Sequence, residues 1–391
     1  MTTDREFDVI LYGASGFTGQ LIAEYLNQRY GDSGELRWAL AGRSADKIAR
    51  VAKESNLPDS LPVIEADSSD LDALQAMAAR GRVVLSAVGP YQLYGSLLVQ
   101  ACAESGTDYV DLCGEPNWMR AMIDQHEDAA RASGARIVFS CGFDSIPSDL
   151  GVFFLQGLAQ EQLGAPLPNV RGRVRAMQGT ASGGTVASMQ ATMGAAAKDP
   201  SIGMLLKDPF CLAPGFEGAA QPDSHRPQFD DDLDSWAAPF VMAVINIPNV
   251  HRSNALLEAK YGPDFTYSEM LLTGPGDKGE AMAKALETPS LSSGGEPPKP
   301  GEGPSKEERE TGLYDVLFIG SNEKGELVKA SVKGDMDPGY GSTSKMIAES
   351  AVCLQKNPDL ASGGLWTPAA AMGTALIERL EANAGLTFAV E

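Results

Sequence analysis

DVILYGASGFTG occupies residues 8–19. Its first half is an apolar run rich in branched side chains, the composition of a strand buried on both faces. Its second half spaces glycines at positions 13, 16 and 19. Behind them, QLIAEYLNQRY places Leu21, Ile22, Tyr25 and Leu26 on one face of a helix. Gly13 suits a tight turn out of the strand, Gly16 lets backbone N–H groups approach a phosphate, and Gly19 lets the helix lie close to the sheet. An ordinary glycine-bearing turn between a strand and a helix has the same appearance, so the rest of the chain has to decide between them.

The rhythm continues in favour of the nucleotide. RWALAG (37–42), PVIEAD (62–67), RVVLSAVG (82–89), DYVDLCG (108–114) and ARIVFSCG (135–142) read as further strands, each separated by a helical segment. Such alternation is the signature of an α/β, doubly wound parallel sheet of the Rossmann type. Residues Gly13, Ala14, Ser15, Gly16, Phe17, Thr18 and Gly19 then form the diphosphate loop, at the positive end of the helix beginning near Phe17. The second strand ends LAGRS, with no acid for a free ribose 2′-hydroxyl. Arg43 and Ser44 instead offer a planar cation and a hydroxyl to a 2′-phosphate, which makes NADP (as NADPH) the expected cofactor. Asp67 and Ser68 end the third strand, where Asp67 either meets the adenine amine or caps the next helix. Ala87, Val88, Gly89 and Pro90 end the fourth, beside the nicotinamide half.

From about residue 150 the pattern changes. RGRVRAMQ (171–178), AAPFVMAVINI (237–247), FTYSEMLL (265–272), YDVLFIGSNE (314–323) and ELVKASVKGD (326–335) read as strands of an antiparallel or mixed sheet. Residues 289–312, rich in Pro, Gly, Ser and charge, are expected to form a mobile surface loop. The chain ends in two helical patterns, the second opening with Thr367 as N-cap and Pro368 at the first helical position.

Composition excludes several functions. With 52 acidic against 31 basic residues, a net charge of -21 argues against nucleic acid and against electrostatic attachment to anionic lipid. The 5 cysteines are odd in number and scattered without a CxxC pair, as expected for reduced thiols in a cytoplasmic protein. No apolar run is long enough to span a bilayer. A peripheral lipid contact through PSIGMLLKDPFCLAPGF (200–216) stays open, and an amphipathic helix there would serve it. His126, His225 and His251 are isolated, the latter two in polar surroundings, and no HExxH is present, so no metal is expected. No Tyr-x-x-x-Lys pair exists for short-chain dehydrogenase chemistry.

GASGFTG, AGRS, SAVGPYQLYG, YVDLCGE, CGFDSIPSDLG, DPGYGSTSKMIAESA and GGLWTPAAAMG together resemble the saccharopine dehydrogenase-like oxidoreductases, nearest to the trans-acting enoyl reductase branch. The resemblance implies an NADP-binding Rossmann domain (1–149), an inserted α+β domain for substrate or oligomerisation (150–340), and C-terminal helices (341–391) returning to the first domain. It implies NADPH-dependent reduction of an enoyl or other lipid-like acyl substrate, and a homodimer is the expected assembly. CGFDSIPSD keeps Gly142 and Asp144 of the saccharopine reductases' glycine-rich segment but departs at Ser145 and Ile146. Reduction of an imine or amino-acid substrate is the chemical alternative, and a non-catalytic NADP sensor the alternative from another class. For a reductase, Tyr91 and Tyr94 could stabilise a developing oxyanion or protonate carbon, or could simply pack beside the cofactor. Glu115 and Asp144 lie at the carboxyl ends of later strands and either orient substrate or cap helices. Arg171, Arg173 and Arg175 alternate on one strand, to hold a substrate carboxylate or to form a solvated face.

Overall fold

The computed structural model describes residues 5–31, 33–180, 182–287, 299 and 301–391. Strand β1 (Phe7–Tyr12) is buried along its whole length. After it come α1 (Phe17–Tyr30), β2 (Trp38–Gly42), α2 (Ala45–Glu54), β3 (Val63–Glu65), α3 (Leu71–Ala78), β4 (Gly81–Ser86), α4 (Tyr91–Tyr94), α5 (Ser96–Ser105), β5 (Asp108–Asp111), α6 (Pro116–Ser133) and β6 (Arg136–Val138). Helix α7 (Ile146–Leu163) leads into β7 (Asn169–Gln178), α8 (Gly183–Lys198), α9 (Pro200–Leu205), β8 (Gln228–Asp230), β9 (Ser235–Pro239), α10 (Ala243–Leu256), β10 (Thr266–Gly274), α11 (Gly276–Ala285), α12 (Lys306–Thr311), β11 (Leu313–Ser321) and β12 (Leu327–Gly334). A wide π-type turn (Pro338–Ser342) precedes α13 (Thr343–Lys356), β13 (Gly364–Trp366), α14 (Pro368–Asn383) and β14 (Leu386–Val390).

The first sheet runs β13-β6-β5-β4-β1-β2-β3 with every pairing parallel, the expected doubly wound order. The chain reverses its direction of growth between β1 and β4, and a ligand crevice opens outside the carboxyl ends of those strands. The second sheet runs β14-β12-β11-β7-β10-β9-β8. It is mixed: β7 and β10 are parallel, and the other pairings are antiparallel.

The return of the chain unites the two sheets. Helix α13 packs on β1, β4, β5 and α1, while α14 packs on α13 and α7, and α7 lies on β11 and β12. One apolar core therefore passes from Val9 and Leu85 through Ile347 and Leu376 to Leu155 and Phe318. Gly151 of α7 is the close contact with the second sheet, since a Cβ there would lie 2.3 Å from the Phe318 ring. Within this apolar seam Glu349, fully buried, accepts from the Tyr25 hydroxyl at 2.7 Å, the Tyr30 hydroxyl at 2.6 Å and Arg379 at 2.6 Å.

The structure departs from the local reading at two places and bears in part on two others. The strand read over 237–247 stops at Pro239, and α10 begins at Ala243; side-chain alternation is absent beyond the proline. The C-terminal stretch contains strands as well as helices: β13 extends the first sheet and β14 the second. Strand β13 is too short to show a period. Of the loop expected at 289–312, residues 289–298 and 300 lie outside the described residues. Lys306–Thr311 is a helix capped reciprocally by Ser305 and Glu308. Residues 200–216 form no amphipathic helix of useful length: α9 has six residues, none buried, and Cys211 to Ala213 are core. Among the described residues no helix is long and apolar enough to cross a membrane.

Candidate active site and cofactor cleft

The glycine loop has the geometry that its spacing suggested. Gly13 has φ +94°, and a Cβ on it would come within 2.6 Å of Val88 and 3.2 Å of the Ala87 backbone. A Cβ on Gly19 would lie 2.1 Å from the Gly13 carbonyl oxygen, so α1 sits directly on the turn. Gly16 donates to that same carbonyl at 2.9 Å. It is also the N-cap of α1, with no side-chain cap and no acidic residue in the first turn. The helix end thus keeps free N–H groups and an uncompensated positive dipole. This is a cradle for an anion, and the residues present fit a dinucleotide diphosphate.

Beyond it lies a cleft of about 510 Å³ lined by Arg43, Asp67, Ser68, Leu93, Tyr94 and Leu97 among others. The residues read as the adenosine end therefore come together, although they arrive from different loops. Ser44 caps α2 by accepting from the Lys47 amide at 3.3 Å, which leaves its O–H free to donate. Asp67 accepts from Ser69, through its amide at 2.9 Å and its hydroxyl at 2.7 Å, while Asp70 caps α3. Asp67 is thus a turn residue at the cleft and not the helix cap. Tyr94, 44% exposed, lines this same cleft with Arg43 and Asp67.

The end of β4 forms the other half. Ala87 donates to the Tyr12 carbonyl at 2.9 Å, holding the two central loops together. Tyr91 is buried, and its hydroxyl donates to the Ser86 carbonyl at 3.2 Å while accepting from the Leu112 amide at 3.1 Å. Its ring packs on Trp118 at 5.5 Å. Burial, then the nearby Asp111 carboxylate, hold its proton well above the ordinary range. Of the two readings of Tyr91, the geometry fits the packing one, because its polar end is occupied in bracing β4 against β5. Glu115 is likewise occupied, accepting from the amides of Tyr91 and Gln92 at 2.8 and 3.0 Å and so fixing the start of α4.

Asp144 differs from these. It follows β6, half-buried, and among the described residues neither carboxyl oxygen has a hydrogen-bond partner; Oδ1 is fully enclosed. A Cβ on Gly114, at the end of β5, would lie 3.8 Å from Oδ2. Burial, and then the charge of Glu269, push the carboxyl up to about 7. Facing this edge is α8, which the sequence did not reveal because only Gly183 in it is buried and no stripe results. It crosses from the second unit to the first. Thr185 shares a hydrogen bond with the Tyr340 hydroxyl at 2.6 Å, Thr192 accepts from Gln92 at 3.1 Å, and a Cβ on Gly89 would lie 3.4 Å from the Ser188 hydroxyl. Val186, Ala187, Met189 and Ala191 give this wall partly exposed apolar surface, and Met193 is 64% exposed. Tyr340, in the wide turn, also meets the Phe17 ring edge-on at 5.4 Å. Asp337 fixes that turn by accepting from the Tyr340 and Gly341 amides at 2.9 and 2.7 Å. The motif DPGYGSTSK contained this tyrosine, but only tertiary folding brings it to the glycine loop.

The arginine stripe is paired throughout. Arg171 bonds Asp230 and Asp232, Arg173 bonds Asp230, and Arg175 bonds Asp315 and Glu391. Arg173 is only 3% exposed, so the stripe is neither a solvated face nor a set of free cations. His251 is buried between Phe210 and Phe265, and burial pushes it down to about 3. Of the polar surroundings expected for it, the ring keeps one hydrogen bond, between Nε2 and the Gln221 side-chain oxygen at 3.0 Å. Among the described residues no three His, Cys, Asp or Glu side chains are grouped to hold a metal ion.

The family model for the saccharopine dehydrogenase NADP binding domain matches residues 9–138. Over 407 residues the chain is 42% identical to a protein of Mycobacterium tuberculosis (strain H37Rv) provisionally named a trans-acting enoyl reductase, covering 97% of this chain and 96% of that one. The trans-acting enoyl reductase of Mycobacterium bovis (strain BCG) is 39% identical over 406 residues, with 96% of each chain covered. Among solved structures, the apo saccharopine dehydrogenase (L-Glu forming) of Saccharomyces cerevisiae matches with a TM-score of 0.56 at 11% identity, over 98% of this chain and 100% of that one. That last likeness is one of fold.

Proposed function

This chain belongs to the saccharopine dehydrogenase-like oxidoreductases, among the trans-acting enoyl reductases, and from that premise we propose that this NADP-dependent enzyme reduces the conjugated double bond of an acyl substrate, with Asp144 as its proton donor. NADPH, when bound, supplies the hydride. Gly13 to Gly19 hold its diphosphate, Arg43 and Ser44 its 2′-phosphate, Asp67, Ser68 and Tyr94 the adenosine, and Ala87 to Pro90 the nicotinamide half. Saturating a double bond also requires a proton, delivered where negative charge develops. Asp144 is the residue supplied for that. Among the described residues its carboxyl has no hydrogen-bond partner to keep it ionised, and burial raises its pKa to about 7. That unpartnered carboxyl at the strand edge carries the reading.

The acyl character of the substrate is supported by α8, which carries no charged residue from Gly183 to Ala197 and offers the partly exposed apolar side chains of Val186, Ala187, Met189 and Ala191. The imine alternative needs cations for a carboxylate, and the arginines suggested for that are consumed by aspartates. Absorbance assays of NADPH consumption test the proposal, with trans-2-enoyl thioesters of increasing chain length set against an amino acid mixed with a 2-oxo acid. Turnover of the thioesters is expected. Turnover of the amino-acid mixture alone would overturn the substrate assignment, and cofactor binding without any turnover would favour the sensor.

A further inference from the structure

The surface of the glycine loop that faces the second unit carries a cation not assigned above. We propose that Arg309, on α12, pairs with the diphosphate of the bound dinucleotide from across the cleft, completing from outside the Rossmann unit the cradle that Gly13 to Gly19 begin. The inference rests on the cofactor reading and extends it to a residue of the other unit.

Position is the first argument. The guanidinium carbon of Arg309 lies 5.7 Å from the centre of the Phe17 ring. Phe17 is the first residue of α1, whose N–H groups open the anion site. The approach is built in: a Cβ on Gly303 would lie 2.3 Å from the same ring. Arg309 itself is held, its carbonyl accepting from the Asp337 amide at 2.9 Å and its guanidinium donating to the Pro304 carbonyl at 2.6 Å.

Charge is the second argument. Among the described residues no carboxylate lies within ion-pair distance of Arg309, in a chain with 52 acidic residues. Its acidic neighbours are engaged elsewhere: Glu308 in the capping box with Ser305, and Glu310 with Lys306 at 3.6 Å. The carboxylate of Asp337 accepts from two backbone amides and feels the charge of Arg309 without closing an ion pair with it. A guanidinium set beside the positive end of a helix is repelled by it unless an anion lies between them. A diphosphate satisfies both at once, with charge-assisted hydrogen bonds from each side.

The test is a fluorescence titration of the full chain with NADPH and with NADH. Arg309→Ala is expected to weaken both nucleotides by the same factor, about 10- to 100-fold, the range for losing a hydrogen bond to a charged group. Arg309→Lys, which keeps the charge, should recover most of that loss. Arg43→Ala should instead weaken NADPH alone. The melting temperature of the nucleotide-free variants separates a folding defect from a binding one, and it is expected to match wild type. Binding of NADPH by Arg309→Ala within about twofold of wild type, taken as the error of such titrations, would overturn the inference and leave the cofactor reading intact. Wild-type protein that bound neither nucleotide would overturn both.

Discussion

Replacing Gly19 by alanine tests fold and site together. In a helix interior the change is ordinarily favourable, by about 1 kcal/mol. Here the new Cβ would meet the Gly13 carbonyl oxygen at 2.1 Å, more than an ångström short of ordinary contact. That oxygen cannot step aside, because it accepts from the Gly16 amide at 2.9 Å while the Gly13 amide donates to Ala41 at 2.9 Å. The helix must lift instead, and overpacking of this kind costs about 1–3 kcal/mol. The clash offsets or outweighs the propensity gain, and a net loss of up to about 2 kcal/mol is expected. Because lifting α1 withdraws its free N–H groups from the loop, NADPH should also bind about tenfold or more weakly. Gly157→Ala, on α7, is the matched control: nothing lies within 4 Å of the added carbon, so the propensity gain should appear alone. Urea unfolding followed by circular dichroism, with nucleotide titration, measures both effects. A Gly19→Ala protein as stable as wild type and unimpaired in binding would refute the steric account of the loop.

The other expectations are simpler. Asp144→Asn should retain NADPH affinity while turnover falls by about 10²–10⁴-fold, as for loss of a general acid. Because the protonated form is the active one and burial raises its pKa to about 7, wild-type kcat/KM should be level below that pH and decline above it, whereas an opposite slope would exclude Asp144 as donor. Arg43→Ala should weaken NADPH and spare NADH in calorimetry, and equal losses would remove the 2′-phosphate assignment. Glu349→Ala leaves the Arg379 guanidinium without its counter-ion in the seam beneath α13 and takes one acceptor from each of Tyr25 and Tyr30, and it should cost about 3–5 kcal/mol in urea unfolding, with Glu349→Gln less severe; a change within experimental error would show that this cluster contributes nothing to cohesion.

How much the sequence disclosed depended on the range of the interaction involved. Gly13, Gly16 and Gly19 lie within one turn, and Arg43 and Ser44 follow a strand that pairs with its neighbour in order, so local spacing sufficed to place them in the fold. The branched side chains of β1 and the alternation in β11 and β12 follow from which faces are buried, and they were legible for the same reason. Tyr340, Thr185 and Arg309 reach the cleft only because α8, α12 and the wide turn fold back over the first sheet, and no periodicity encodes that. Tyr91 shows the opposite difficulty. Its position was readable, but whether a phenol points at substrate or at backbone depends on the end of β5, about twenty residues away. The Asp67 turn and the ion-paired arginines were ambiguous likewise, since one residue type serves a ligand or a neighbour equally well.

The shared core under α13 also bears on how the protein can be divided. Its nucleotide-binding portion looks separable by composition, yet one side of its sheet is roofed by Ile347, Ala351 and Leu354, from nearly two hundred residues downstream. A fragment ended at residue 149 would leave Val9, Leu85 and Val110 under water and would lack β13 at the sheet margin. Such a truncation should aggregate instead of serving as a nucleotide-binding module, and any excised unit would need residues 343–366 grafted back to stand alone.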